Sequence, residues 1–271
     1  MESALDWHQA KALLEWYVEL GVTDAVAEAP IDRYELKPEP PKAPAAPSGS
    51  GASPMAAPTG PTPIREVPKT DWVAVAKELA ATAGSLEALA EVMQGYDGSP
   101  LKKGARSFVF ADGTPAARVM IVGEGPGQEE DREGKPFVGR AGHLLDQMFA
   151  AIGLARATPD TENALYITNV VPYRPPGNRN PTPEEIAMFT PFLLRHIELA
   201  DPDIIVPMGN IALTALLDRQ GITKLRGQWT EVLGKPALPM FHPSYLLRNP
   251  ISKREAWADL LDIQAKLRAK T

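Results

Sequence analysis

From residue 118 onward, short apolar runs alternate with longer stretches whose apolar residues return every three or four positions. Residues 118–123 (RVMIVG) form one such run, closed by glycine, and predict a buried strand. Residues 139–153 keep helical spacing. Residues 164–171 (ALYITNVV) predict a second strand and 183–200 a helix. Residues 203–208 (DIIVPM) predict a third strand, 210–218 a helix, 237–241 (ALPMF) a short fourth strand, and 252–267 a closing amphipathic helix. Four apolar strands alternating with helices predict a three-layer α/β/α sandwich around a four-stranded, mainly parallel sheet. Such sheets bind ligands at the carboxyl ends of their strands, and every unusual loop of this chain falls there.

Upstream the pattern changes. Residues 4–20 have helical spacing, with Leu5, Ala10, Leu13, Leu14, Tyr17 and Val18 able to share one face and Gly21 as a stop. Residues 28–69 hold eleven prolines, many alanines and the run SGSGAS, a composition that cannot bury a core. The expected organisation is an N-terminal amphipathic helix (1–23), a disordered Pro/Ala-rich linker (24–70) and a catalytic-sized domain (71–271). Asp71 is the expected N-cap of a helix running to about residue 92, which Gly84 is placed to split.

Composition narrows the chemistry. None of the 271 residues is cysteine, which excludes disulfides, thiolate metal sites and a cysteine nucleophile. The 28 prolines are about twice average usage, consistent with a long non-globular segment. No run approaches the ~18 apolar residues of a membrane span, and residues 1–6 carry two acids and no basic cluster. A cytoplasmic protein without a membrane partner is expected. The net charge of −6 is uneven: residues 1–69 carry 6 basic and 10 acidic side chains, residues 219–271 carry 10 and 4. That basic quarter could form a phosphate-facing surface, but charge alone favours the simpler reading of a solvated helix face.

Four loops carry candidate chemistry. The first, Gly123-Glu-Gly-Pro-Gly127, follows the first strand. It is not a G-x-G-x-x-G dinucleotide loop, because Gln128 stands where the last glycine belongs, and not a Walker loop, because Glu129 replaces that motif's first glycine. What remains is a tight turn at Gly125 and Pro126 that lets backbone approach a ligand and displays Glu124. The second, Pro136-Phe-Val-Gly-Arg-Ala-Gly142, presents Phe137 for stacking on a flat ligand, or as a core plug. The third begins at Asn169, whose carboxamide offers a donor beside an acceptor and can read one edge of a base. It continues through Arg174 and Arg179, which suit phosphate contact; the plain alternative is that Asn169 caps its own turn and the arginines are solvated. The fourth, Phe241-His-Pro-Ser-Tyr-Leu-Leu-Arg-Asn-Pro250, has His242 at a strand end, followed by Leu246, Leu247 and Arg248. Exposed apolar side chains there suit a wedge entering a base stack, and ordinary packing under the last helix is the plain alternative.

The order of these blocks resembles the family 4, iron–sulfur type uracil-DNA glycosylases. GEGPG, PFVGRAG, TNVVPYRPPGNRNPT, IIVPMGNIAL, LRGQW and HPSYLLRNPISKREAW carry the resemblance, from about residue 96 to 267. It implies hydrolysis of the N-glycosidic bond of deoxyuridine in DNA, the first step of base excision repair, by a monomer. Glu124 and His242 would be catalytic; Gly125, Pro126, Glu130, Phe137 and Asn169 would bind the uracil, with Glu130 crowding C5; Arg174, Arg179, Leu246, Leu247 and Arg248 would meet DNA. The resemblance departs at the cluster. Its four cysteine positions fall on Tyr96, Ser99, Tyr173 and Phe189, so no iron–sulfur cofactor and no other metal is expected. The three rings are expected to converge and fill the former cluster site. The alternatives are an inactive DNA-binding module on the same fold and a mononucleotide-binding α/β enzyme. An unidentified protein partner is a further candidate, for the N-terminal helix.

Overall fold

The structure, a computed structural model, describes residues 70–269. The helix expected at 1–23 and, residue 70 apart, the linker expected at 24–70 lie outside the described residues. Helix α1 (Trp72–Thr82) opens as expected, with the Asp71 carboxylate accepting from Val73 N and Ala74 N. Such a cap contributes about 1 kcal/mol. Gly84 does split the segment: a second cap, Ser85, starts α2 (Leu86–Gly95), and a single turn, α3 (Leu101–Gly104), follows.

The sheet has six strands rather than the expected four, in the order β1-β3-β2-β4-β6-β5. Its parallel centre matches the apolar runs: β2 (Val119–Gly123), β3 (Leu165–Asn169) and β4 (Ile204–Pro207) are buried at every position. Strands covered on both faces need apolar residues throughout, hence runs rather than alternation. The expected fourth strand begins earlier, as β6 (Lys235–Ala237), and the chain continues beside β4 through Leu238 N to Ile205 O and Met240 N to Pro207 O. Two antiparallel edges were not expected. β1 (Ala111–Gly113) pairs with β3, and β5 (Thr230–Val232) with β6.

Alternate strand residues feed two cores, which makes three layers. Met120, Val122, Tyr166 and Ile205 face α1, α2 and α6 (Pro183–Ala200). Val119, Ile121, Leu165, Ile167, Ile204 and Val206 face α5 (Arg140–Ala150) and α10 (Lys253–Ala269). The topology also locates the site. β2 leads through α4 (Gln128–Glu133) and α5 to β3 on one side, and the chain then crosses to β4 on the other. The strand order therefore reverses at β2, and a crevice opens beyond its carboxyl end.

Candidate active site

The register aligns the ends of the central strands: Gly123 lies beside Asn169, and Val122 beside Pro207. Beyond them lies a cleft of about 580 Å³. Glu124, Gly125, Pro126, Glu130, Phe137 and Asn169 line it, as do Arg179, His242 and Arg248. The four loops picked from sequence thus meet in one place. Arg174, Leu246 and Leu247 are not in its wall.

Close packing at the end of β2 explains the first glycine. A Cβ on Gly123 would lie 2.4 Å from Asn169 Oδ1 and 2.5 Å from a Phe137 ring carbon. The strand can bring the carboxamide and the ring together only because residue 123 has no side chain. Asn169 is buried, and its Nδ2 makes no hydrogen bond among the described residues. An unpartnered buried donor costs ~1–3 kcal/mol, recovered when a ligand brings an acceptor.

Phe137 is buried, and its ring stacks on His242 at 5.3 Å between centroids, with 29° between planes. It therefore forms a wall of the cleft and is not a plug for the core alone. Its backbone is left-handed, φ 54°, which costs a non-glycine residue roughly 1–2 kcal/mol. Glu130 helps to hold it. One carboxylate oxygen accepts from Val138 N at 3.0 Å and Gly139 N at 2.9 Å, the other from Gly127 N at 3.1 Å. Both oxygens are engaged, so Glu130 builds the wall that joins the first two loops instead of presenting a free carboxylate. Residue spacing carries no sign of this, because the tie is between loops.

His242 caps α9 (Pro243–Arg248), its Nδ1 accepting from Ser244 N at 3.2 Å. That bond assigns the ring proton to Nε2, which becomes a hydrogen-bond donor. Burial lowers its pKa to about 4, with the nearby Arg248 charge acting in the same direction and Glu130 opposing. The imidazole is neutral at pH 7. Glu124 shows the converse effect: burial raises its carboxyl above the ordinary value, and Arg248 pulls it back down. Arg248 thus acts, second to burial, to lower the pKa of both candidate catalytic groups, a role the sequence did not suggest.

Two expectations about DNA contact change. Leu246 is 0% exposed and packs in the core beneath α9, so it cannot be a wedge. Leu247 is 37% exposed, and Ile251, overlooked in the sequence, stands 89% exposed in the turn that follows. Arg179 does line the cleft, but its guanidinium forks onto Glu185 at 2.7 and 2.8 Å. Arg174 donates to Asn178 Oδ1 at 2.6 Å. Both arginines brace their own loop, but only Arg179 meets a compensating carboxylate there, whereas Arg174 meets a neutral carboxamide.

The cleft thus combines a base-reading carboxamide, a stacking ring, a neutral imidazole donor and a carboxylate of raised pKa, at the switch point of a parallel sheet. The chain belongs to the uracil-DNA glycosylase superfamily: the family model described as "Uracil DNA glycosylase superfamily" matches residues 110–261, from before β1 into α10. Within it, the chain is similar to proteins named type-4 uracil-DNA glycosylase. That of Thermotoga maritima is 45% identical over 167 residues, covering 60% of this chain and 84% of that protein. That of Archaeoglobus fulgidus is 37% identical over 172 residues, covering 60% and 83%. That of Sulfurisphaera tokodaii is 41% identical over 155 residues, covering 52% and 66%.

The iron–sulfur cluster implied by the family 4 resemblance does not fit the residues present. Tyr96, Ser99, Tyr173 and Phe189 supply no thiolate, and all four are buried. The rings pack instead: Phe189 lies 5.9 Å from Tyr96 and 6.2 Å from Tyr173, and Phe192 joins at 5.3 Å from Tyr96. The Tyr96 hydroxyl donates to Trp72 O at 2.8 Å, and Ser99 Oγ accepts from Leu101 N. The Tyr173 hydroxyl is buried without a partner among the described residues. Burial pushes both phenols up to about 12, so both stay neutral.

Proposed function

We propose that this chain is a uracil-DNA glycosylase that hydrolyses the N-glycosidic bond of deoxyuridine in DNA, initiating base excision repair, and that it works without an iron–sulfur cluster. The observation that carries the reading is Asn169: a buried carboxamide whose Nδ2 has no partner among the described residues, set beside a stacking ring and an imidazole donor. Its Nδ2 would donate to uracil O4 and its Oδ1 accept from N3–H. Cytosine presents the reverse pattern at those two positions and is refused.

A glycosidic bond inside a duplex is out of reach, so the nucleotide must first leave the stack, at a cost of a few kcal/mol. Leu247 and Ile251 are the exposed apolar side chains near the rim that can fill the gap. Phe137 stacks on the extruded uracil. As the bond lengthens, negative charge gathers on uracil O2 and positive charge on the sugar. His242 Nε2–H donates to O2; such a donor in a dry site contributes ~3–4 kcal/mol. Its lowered pKa suits this work, because a neutral imidazole donates without surrendering its proton to the leaving group. Glu124 orients the attacking water and, as a carboxylate, stabilises the oxocarbenium-like sugar.

The test is an oligonucleotide carrying one deoxyuridine, incubated with the protein and then treated with alkali. Strand cleavage at that position supports the reading. Binding without cleavage would make the chain a DNA-binding module. Affinity for free nucleotides with no DNA dependence would make it a mononucleotide enzyme.

A further inference from the structure

Two non-glycine residues of the cleft lining, Phe137 and Asn178, have a left-handed backbone, and asparagine tolerates it where phenylalanine does not. The groups that hold Phe137 come from outside the four loops. After α5 the chain turns towards β3, and Arg156 sits in that connection. Its side chain is largely buried and reaches two carbonyls: Nη1 donates to Pro136 O and Nη2 to Phe137 O, each at 2.9 Å. Two aspartates aim the guanidinium. Nε donates to Asp146 Oδ1 at 2.8 Å, on α5, and Nη1 to Asp112 Oδ2 at 3.2 Å, on β1.

These bonds meet those of Glu130 on a single peptide. The Phe137 carbonyl and the Val138 N–H belong to the same planar unit. Arg156 holds its oxygen and Glu130 holds its N–H. The preceding peptide is held through Pro136 O. With both flanking peptide planes fixed, φ and ψ of Phe137 are fixed as well, and with them the direction in which its Cα–Cβ bond points into the cleft wall. The first turn of α5 closes the arrangement: a Cβ on Gly142 would lie 1.7 Å from Phe137 O.

We infer that Arg156 is a positioning residue, which holds Phe137 in its left-handed backbone and thereby sets the stacking wall of the cleft against His242. Arginine is required because one planar fork must serve two carbonyls and two carboxylates. A lysine ammonium is a point charge on a flexible stem and cannot span them. The inference rests on the proposed glycosylase activity for its kinetic consequence, and on geometry alone for the loop.

The test uses the full chain with Arg156→Ala and Arg156→Lys. The lysine variant keeps a positive charge between Asp112 and Asp146, so it guards against simple loss of the fold. Two readouts are needed. In single-turnover excision of deoxyuridine, both variants should be slowed by on the order of 10²-fold, the effect of a misplaced positioning group. Their affinity for an abasic-site oligonucleotide should stay within about threefold of the parent. Amide hydrogen exchange at Val138 and Gly139 should be faster by about tenfold or more in both variants. Excision within about threefold of the parent, or a rate loss matched by lost DNA binding, overturns the inference. So does unchanged exchange at those two amides. If the parent itself excises nothing, the proposed function fails, and the exchange measurement still decides what Arg156 does.

Discussion

Replacing Phe189 by alanine removes the ring on which the substitute for the cluster depends. Phe189 is 0% exposed on α6 and touches three rings, two of them from other parts of the chain. Tyr96 precedes the sheet, Tyr173 follows β3, and Phe192 lies one turn along α6. Deleting a buried phenylalanine ring costs 3–5 kcal/mol, from lost burial and from the void left behind. Three ring contacts, at ~0.5–1.5 kcal/mol each, put this site in the upper part of that range. Domains of this kind hold only ~5–15 kcal/mol in all, so urea unfolding should show a large fall in midpoint with an unchanged slope. Two controls separate ring packing from hydroxyl bonding. Tyr96→Phe loses the bond to Trp72 O and should cost about 1 kcal/mol. Tyr173→Phe removes a buried hydroxyl that has no partner among the described residues and should be neutral or stabilising. A loss below about 1 kcal/mol for Phe189→Ala would refute the reasoning: the rings would then not be what ties the segment before the sheet to the loop after β3.

Glu124→Ala and His242→Ala should each slow excision by roughly 10²-fold or more while thermal melting stays near the parent, and near-parental turnover would remove that residue from the mechanism. Arg248→Ala removes a positive charge that lowers the pKa of both Glu124 and His242. Both should rise, so the acid limb of the single-turnover pH profile should move to higher pH; a limb that stays put or moves down contradicts the assignment. Acid should also weaken the fold through His196, whose pKa burial lowers from 6.5 to about 3. Its neutral form is favoured in the folded state, so its contribution is complete above pH 6.5. It is lost as pH falls towards 3, at ~1.4 kcal/mol per pH unit, and a flat stability over that window argues otherwise. Deleting residues 1–69 should leave excision on a short oligonucleotide nearly unchanged, because every motif lies beyond them; a large loss would assign those residues a part in the reaction.

Much of this was legible because burial on both faces leaves a plain mark. The runs at β2, β3 and β4 are buried throughout and apolar up to their carboxyl ends, where the unusual residues Glu124 and Asn169 stand. The edge strands left no such mark. β1 is the half-buried tripeptide Ala-Asp-Gly. The β5–β6 hairpin turns through Leu233 and Gly234, both at positive φ, and leucine there hides the usual Asn-Gly signal. Exposure within one short helix was equally hidden. Leu246 and Leu247 are neighbours of the same type, and only the docking of α9 decides that one is core and the other surface. Ties between loops, such as Glu130 to three backbone amides and Arg156 to two carbonyls, depend on contacts that no spacing encodes.

The most direct test of the central claim is excision itself, measured on the parent chain with metal-free buffers and chelator present. One strand carries a single deoxyuridine, a second carries thymidine at that position, and a third deoxycytidine. The account predicts alkali-labile cleavage at deoxyuridine alone, abolished by Asn169→Ala, with the chelator without effect. Binding of the deoxyuridine strand with no cleavage under any of these conditions would contradict it.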